Sequence, residues 1–190
     1  NKVLDNFNYF SDDWIGNFET KIMKLKNENL KKKYLIYGFG KSGVSSFKYL
    51  NKKSKCFIFD DNKKNLNNKF KKFYISKSKI LNNNFDNIII SPGIDINKCK
   101  LSNYLKKNRK KIITDLDIFY RFNPETVTIT ITGTNGKSTT CKLLYDILKN
   151  HRYDVRLTGN IGNPVLAEKK ITKKTIFVIE ASSYQLDYSR

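Results

Sequence analysis

Proline is scarce in this 190-residue chain, with 3 in all, and glycine is held to 9. That excludes collagen-like repeats and Pro-rich linkers. Cys56, Cys99 and Cys141 are odd in number, scattered and without metal-ligand spacing. They read as free thiols of a reducing compartment rather than a disulfide framework, so a cytoplasmic location is expected. Long apolar runs are missing, and none approaches the ~18–20 residues a membrane span requires. No charged-then-apolar leader opens the sequence. Acid is in deficit, with 17 Asp and Glu against 37 Lys and Arg, a formal net charge of +20.

What is present can build a core. Hydrophobic residues make up 39% of the chain and aromatics 13%, enough to exclude whole-chain disorder. The length allows one or two domains of roughly 100–150 residues. The basic excess is nearly all lysine, 32 against 5 arginines, accompanied by 23 asparagines. It falls in short runs such as Lys31–Lys33, Lys71–Lys72 and Lys173–Lys174. Base-reading arginines and an aromatic sheet face are not visible. These lysines read as solvated faces, and no nucleic-acid partner is expected. A basic surface can still draw in a nucleotide substrate.

Residues 1–33 are polar and mixed, and Phe7, Tyr9, Phe10, Trp14 and Phe18 follow no helical stripe. Met23 is the single methionine. It is the expected true start, with residues 1–22 upstream sequence or an extension. From Tyr34 the pattern alternates between strand and helix. Strands are predicted at Tyr34–Tyr37, Cys56–Asp60, Phe73–Ile75, Asn87–Ser91 and Lys111–Thr114. Helices are predicted from the glycines to about Lys53, over 97–107 and over Asp115–Arg121. Asn123-Pro124 marks a boundary, because the residue before proline is pushed out of the helical region. A second series follows, with strands at Val127–Thr132, Asp154–Thr158 and Thr175–Glu180 and a helix over Lys137–Asn150. Continuous apolar strands with intervening helices predict an α/β fold with a parallel, doubly wound sheet. The expected organisation is an extension over 1–33, a Rossmann-like domain over 34–123 and the start of a second α/β domain over 124–190. With about 67 residues in that last unit, the chain reads as part of a longer protein. Thr175–Glu180 or a neighbour is then expected at an unpaired sheet edge.

Eight of the nine glycines fall in four motifs. Gly38-x-Gly40-x-x-Gly43 joins a strand to a helix, the arrangement that admits a diphosphate at a helix N-terminus. Asp60 and Asp61 end the next strand, where a ribose-binding acid belongs. Ser91-Pro-Gly93-Ile94 follows a buried strand and faces the same crevice. Thr132-Gly-Thr-Asn-Gly-Lys-Ser-Thr139 follows a β-branched strand and opens a helix. Gly133 and Gly136 let backbone N–H groups turn inward toward phosphate, Lys137 adds a point charge, and Ser138 or Thr139 can ligand Mg²⁺. The generic P-loop has a glycine five positions before the Gly-Lys pair, and here that position is Ile131. Gly159-Asn-Ile-Gly162 ends another strand. Glu180 closes the last one, a fitting place for a Mg²⁺ ligand.

Together these motifs resemble the Mur ligases and their folylpolyglutamate synthase relatives. Asp115-Leu-Asp-Ile-Phe119 and Glu180-Ala-Ser-Ser-Tyr-Gln185 extend the likeness, which covers Tyr34 to Gln185 in the order and spacing of the D-glutamate-adding branch. The resemblance implies a truncated P-loop ATPase domain after the Rossmann-like one. It implies an ATP- and Mg²⁺-dependent amide ligase of peptidoglycan precursor synthesis, working through an acyl phosphate on UDP-N-acetylmuramoyl-L-alanine with D-glutamate as the amine. By that likeness Gly133, Thr134, Asn135, Gly136, Lys137, Ser138 and Thr139 bind ATP, and Lys137 and Glu180 are catalytic. Ser138 and Glu180 hold the metal. Lys41, Ser42, Asp60, Asp61 and Gly93 line the UDP site, while Asn160, Ser182 and Gln185 reach the muramoyl-alanine part. A monomer is expected. Asn62 stands where the family often has a basic residue. The family's modified lysine, catalytic histidine and D-glutamate site fall after Arg190, so the chain alone is expected to be inactive. His151, at a helix C-terminus, does not match that histidine. A sister ligase adding L-alanine and a nicotinamide-dependent oxidoreductase built on Gly38–Gly43 are the alternatives. The second leaves Gly133–Thr139 unexplained.

Overall fold

The computed structural model describes residues 32–52, 54–62 and 67–189. Met23, the early aromatics and the proposed extension lie outside the described residues, apart from Lys32 and Lys33. Four strands, β1 (Lys33–Tyr37), β2 (Lys55–Phe59), β3 (Asn87–Ile90) and β4 (Ile112–Ile113), pair in parallel in the order β2-β1-β3-β4. These strands read as unbroken apolar runs because both faces of the sheet are covered. Tyr34 and Ile36 enter one core, and Leu35 and Tyr37 enter the other. The covering helices are α1 (Lys41–Leu50), α2 (Lys77–Leu81), α3 (Ser102–Lys107) and α4 (Asp115–Phe122). Thr114 and Asp117 start α4 with a reciprocal capping box, which satisfies two N–H groups that a helix start otherwise leaves open.

Two predicted elements differ. Phe73–Ile75 is not a strand. Residues Asn68–Phe73 form a 3-10 turn, and only Tyr74 makes a single bridge to Ile58. The lysines of that turn are exposed, so little apolar surface favours a longer pairing. The helix predicted over 97–107 begins at Ser102 instead. Ahead of it, the Asp95 side chain accepts the Asn97 N–H at 2.9 Å, a local bond that competes with helix.

The second sheet contains β5 (Val127–Ile131), β6 (Val155–Gly159) and β7 (Ile176–Glu180), parallel and in the order β5-β7-β6. β7 is therefore central, and its neighbours β5 and β6 are the edges. α5 (Lys137–Asn150) packs on one face through Cys141 and leaves Leu143 and Ile147 exposed. α6 (Ser183–Tyr188) follows β7.

The other face of β7 joins the first unit. Phe177 meets Phe119 of α4 with ring centroids 4.7 Å apart. Val165 and Leu166, in a 3-10 turn after β6, complete the same cluster with Phe47 and Leu50 of α1. Burying each such side chain contributes about 1.5–3 kcal/mol. In the first sheet the chain runs from β1 to β2 and then returns to β3 on the other side of β1. The carboxyl ends of β1 and β3 consequently flank a topological switch point, the usual place for a ligand in an open α/β sheet.

Candidate functional site

The glycine loop after β1 is fastened from three sides. Gly38 N–H donates to the Phe59 carbonyl at 2.9 Å. The Ser91 hydroxyl donates to the Gly38 carbonyl at 2.8 Å. The Asp60 carboxylate accepts the Phe39 N–H at 2.6 Å and the Asn62 N–H at 2.7 Å. Gly43 permits the close approach of α1 to the loop, since a Cβ there would strike the Gly38 carbonyl. Gly40 caps α1 without a side-chain bond, leaving the first N–H groups of that helix to meet a ligand.

Around this loop lies a cavity of about 330 Å³. Residues 38–42, Asp60 and residues 91–93 form one wall, and Gly159, Asn160, Gly162 and Pro164 form the other. Of the residues singled out for the substrate, Lys41, Ser42, Asp60, Gly93 and Asn160 share this crevice. Asp61 turns elsewhere. Its carboxylate accepts the Tyr37 hydroxyl at 2.9 Å and the Lys100 N–H at 3.2 Å. Burial pushes the Tyr37 hydroxyl above its ordinary range, and its bonds to Cys99 and Asp61 act in the same direction. A larger groove of about 1170 Å³ runs along the outer side of α1 past Lys48, Lys52, Phe70 and Phe73. It shares only Lys41 and Pro164 with the crevice and contains none of residues 133–139.

Ser182 and Gln185 do not line the crevice. Ser182 caps α6 reciprocally with Gln185, and the Gln185 amide donates to Asp115 Oδ1 at 3.3 Å. Burial pushes the Asp115 carboxyl above the usual carboxylate range. Hydrogen bonds from Gln185, from the N–H groups of Asp115 and Leu116 and from the Ser42 side chain oppose that shift. The sequence alone gave Asp115 no role beyond its place in a motif. An acid just after a capping threonine reads simply as a helix start.

The segment from Gly133 to Thr139 is open to solvent at Thr134, Asn135, Ser138 and Thr139. Gly136 sits in the left-handed region at φ +77° as the N-cap of α5. Lys137 Nζ donates to the carbonyls of Gly133 at 2.7 Å and Thr134 at 3.2 Å, folding its charge back over the loop. Ile131, where a generic P-loop would have glycine, is still within β5 and pairs with Glu180. The turn therefore begins later, and the loop is shorter.

Glu180 links the two loops. Along β7, Ile176 and Val178 pack toward α5, so Glu180 projects to that same side by strand alternation. Its Oε2 is buried and has no hydrogen-bond partner among the described residues. Burial and the nearby Glu180 charge both push the Cys141 thiol upward, which sets the carboxylate close beneath α5. On the main chain, the Glu180 carbonyl accepts the Asn160 N–H at 3.0 Å. Gly159 is required beside it, since a Cβ would strike that carbonyl. An orphaned buried carboxylate oxygen beside a phosphate-type loop fits a divalent cation. No three His, Cys, Asp or Glu side chains converge among the described residues, so hydroxyl and phosphate oxygens would complete its shell. His151 closes α5, its N–H donating to the Ile147 carbonyl at 3.1 Å. Among the described residues no helix is long and apolar enough to cross a membrane.

Residues 131–190 match the Mur ligase middle domain. The chain is 38% identical over 157 residues to a UDP-N-acetylmuramoylalanine–D-glutamate ligase of Rickettsia bellii, covering 80% of this chain and 34% of the relative. The protein of the same name in Caldicellulosiruptor saccharolyticus is 35% identical over 168 residues, covering 82% of this chain and 37% of the relative. That of Clostridioides difficile is 30% identical over 167 residues, covering 82% and 37%. The chain spans about a third of the length of the curated relatives it matches.

Proposed function

We propose that this chain, similar to curated ligases over 80–82% of its length, carries the nucleotide-sugar and ATP sites of an ATP-dependent carboxylate–amine ligase. The reaction adds D-glutamate to UDP-N-acetylmuramoyl-L-alanine in peptidoglycan precursor synthesis, in the cytoplasm. Residues 34–123 form the unit that receives the UDP end, and residues 124–190 begin the ATP-binding unit. The observation that supports this reading best is the double engagement of Glu180. Its carboxylate lies beneath the helix that Lys137 opens, and its carbonyl holds the Asn160 loop that walls the crevice.

In this reading the free N–H groups of α1 and the Lys41 side chain receive the diphosphate. Asp60 holds the loop to its shape, and Asn160 approaches the muramoyl-alanine part. Residues 133–139 cradle the ATP phosphates, and Lys137 leaves its carbonyl partners to meet them. Ser138 and Glu180 would hold Mg²⁺, which when bound neutralises charge on the phosphates during phosphoryl transfer. The substrate carboxyl would become an acyl phosphate, and the D-glutamate amine would attack its carbonyl carbon, forming the amide and releasing phosphate.

A fluorescent ATP analogue tests the assignment. The chain should bind it with Mg²⁺ present, and Lys137→Ala should weaken binding at least tenfold without loss of helix by circular dichroism. Equal binding by Lys137→Ala, or binding of NADH in its place, would overturn the reading.

A further inference from the structure

Asp115 is the first residue of α4 in the front unit, yet its carboxylate also takes a partner from the second unit. Gln185 donates to it from α6, beyond the second sheet, at 3.3 Å. The Ser42 side chain, in the first turn of α1 directly after the glycine loop, lies near it and favours its charged form. Its own N–H and that of Leu116 complete the set. First turns of α4 and α6 thus meet at one carboxylate, a setting in which unpaired N–H groups and helix dipoles favour negative charge. Both ends of the link to Gln185 are buried, Asp115 at 4% and Gln185 at 3% exposure. Other polar links between the units, Arg109 to Asp187 and Tyr120 to Thr130, are exposed. Exposed links of that kind contribute little.

We propose that Asp115 is a positioning residue that sets the register between the two walls of the crevice, holding Gln185 of the second unit against the start of α4 beside the glycine loop. This rests on the crevice being the UDP-N-acetylmuramoyl-L-alanine site. The physical consequence is selective. A ligand confined to the front unit needs only the glycine loop. A ligand that spans both units needs the two walls at a fixed separation, and loses affinity when they drift.

The test compares two ligands on the full 190-residue chain by calorimetric titration. UDP alone reports the front wall, and UDP-N-acetylmuramoyl-L-alanine reports both. In Asp115→Ala the longer ligand should weaken at least tenfold and UDP less than threefold. Asp115→Asn keeps the shape and one acceptor oxygen, and guards against a folding defect in the alanine variant. It should move the ratio of the two affinities in the same direction by threefold or more. An unchanged ratio in both variants would overturn the proposal, whether both ligands weaken together or neither does. Failure of the unaltered chain to bind the longer ligand would instead sink the functional reading on which it rests.

Discussion

Asp60 accepts the N–H of Phe39 at 2.6 Å, a buried bond that ties the end of β2 to the interior of the glycine loop after β1. The second oxygen of the same carboxylate takes the Asn62 N–H at 2.7 Å. The acid thus shapes the loop from within while still lining the crevice. Asp60→Ala would leave the Phe39 N–H unpaired in a buried place, a loss of about 1–3 kcal/mol. A urea titration should record that drop together with weaker UDP binding. Loss of UDP binding at undiminished stability would mean that the acid serves the ligand alone.

Glu180→Gln separates metal binding from folding. Because Glu180 Oε2 is buried without a partner among the described residues, replacing the charge should not lower the thermal midpoint. The Mg²⁺-dependent gain in affinity for an ATP analogue should fall at least fivefold, with metal-free affinity unchanged. A large loss of stability with the Mg²⁺ effect intact would make the carboxylate structural.

Much of this arrangement was legible in the residues themselves. The span Lys137–Asn150 was predicted as a helix at both ends, because a glycine pair precedes it and its apolar residues keep helical spacing. Ile88–Ile90 read as a buried strand and is one. What was not legible depends on contacts far apart in the chain. Asp61 follows Asp60 directly, yet Tyr37 and Lys100 claim it, and no spacing rule separates two adjacent acids. Asp115 meets a partner 70 positions away. The order β5-β7-β6 put the last strand in the middle, which local pattern does not encode, so the exposed edges fell on its neighbours. Tyr74 has strand-forming neighbours, but lysines on both sides of the turn leave it a single bridge.

Alkaline pH should destabilise the fold through two buried groups. Burial raises the Cys56 thiol from 9.0 to about 12. It raises the Tyr34 hydroxyl from 10.0 to about 12, outweighing the opposing pull of Arg121. Above pH 9 the unfolded chain gives up protons that the folded chain keeps. Stability is therefore intact below pH 9 and falls as pH rises toward 12, by up to ~1.4 kcal/mol per pH unit for each group. Urea midpoints at pH 8 and pH 10.5 check this, with a smaller drop in Cys56→Ala. An identical midpoint at both values would contradict it.

The second sheet should be the weaker half. Its α5 face is closed by the small cluster of Cys141, Val155 and Val178. Val127, Leu143 and Ile147 are exposed. Few buried contacts lower the cost of local opening. Limited proteolysis should cut first within residues 124–189, leaving a surviving fragment that contains β1 to β4. Equal resistance in both halves would refute this, and poor solubility despite the net charge of +20 would accord with the exposed edge.

Hydrogen exchange with and without UDP-N-acetylmuramoyl-L-alanine tests the central claim most directly. That ligand should slow exchange in residues 38–43, 91–94 and 159–163 together, since these three loops wall one crevice. NADH at the same concentration should leave them unchanged. Protection of residues 38–43 by NADH, with none by the uridine compound, would contradict the account.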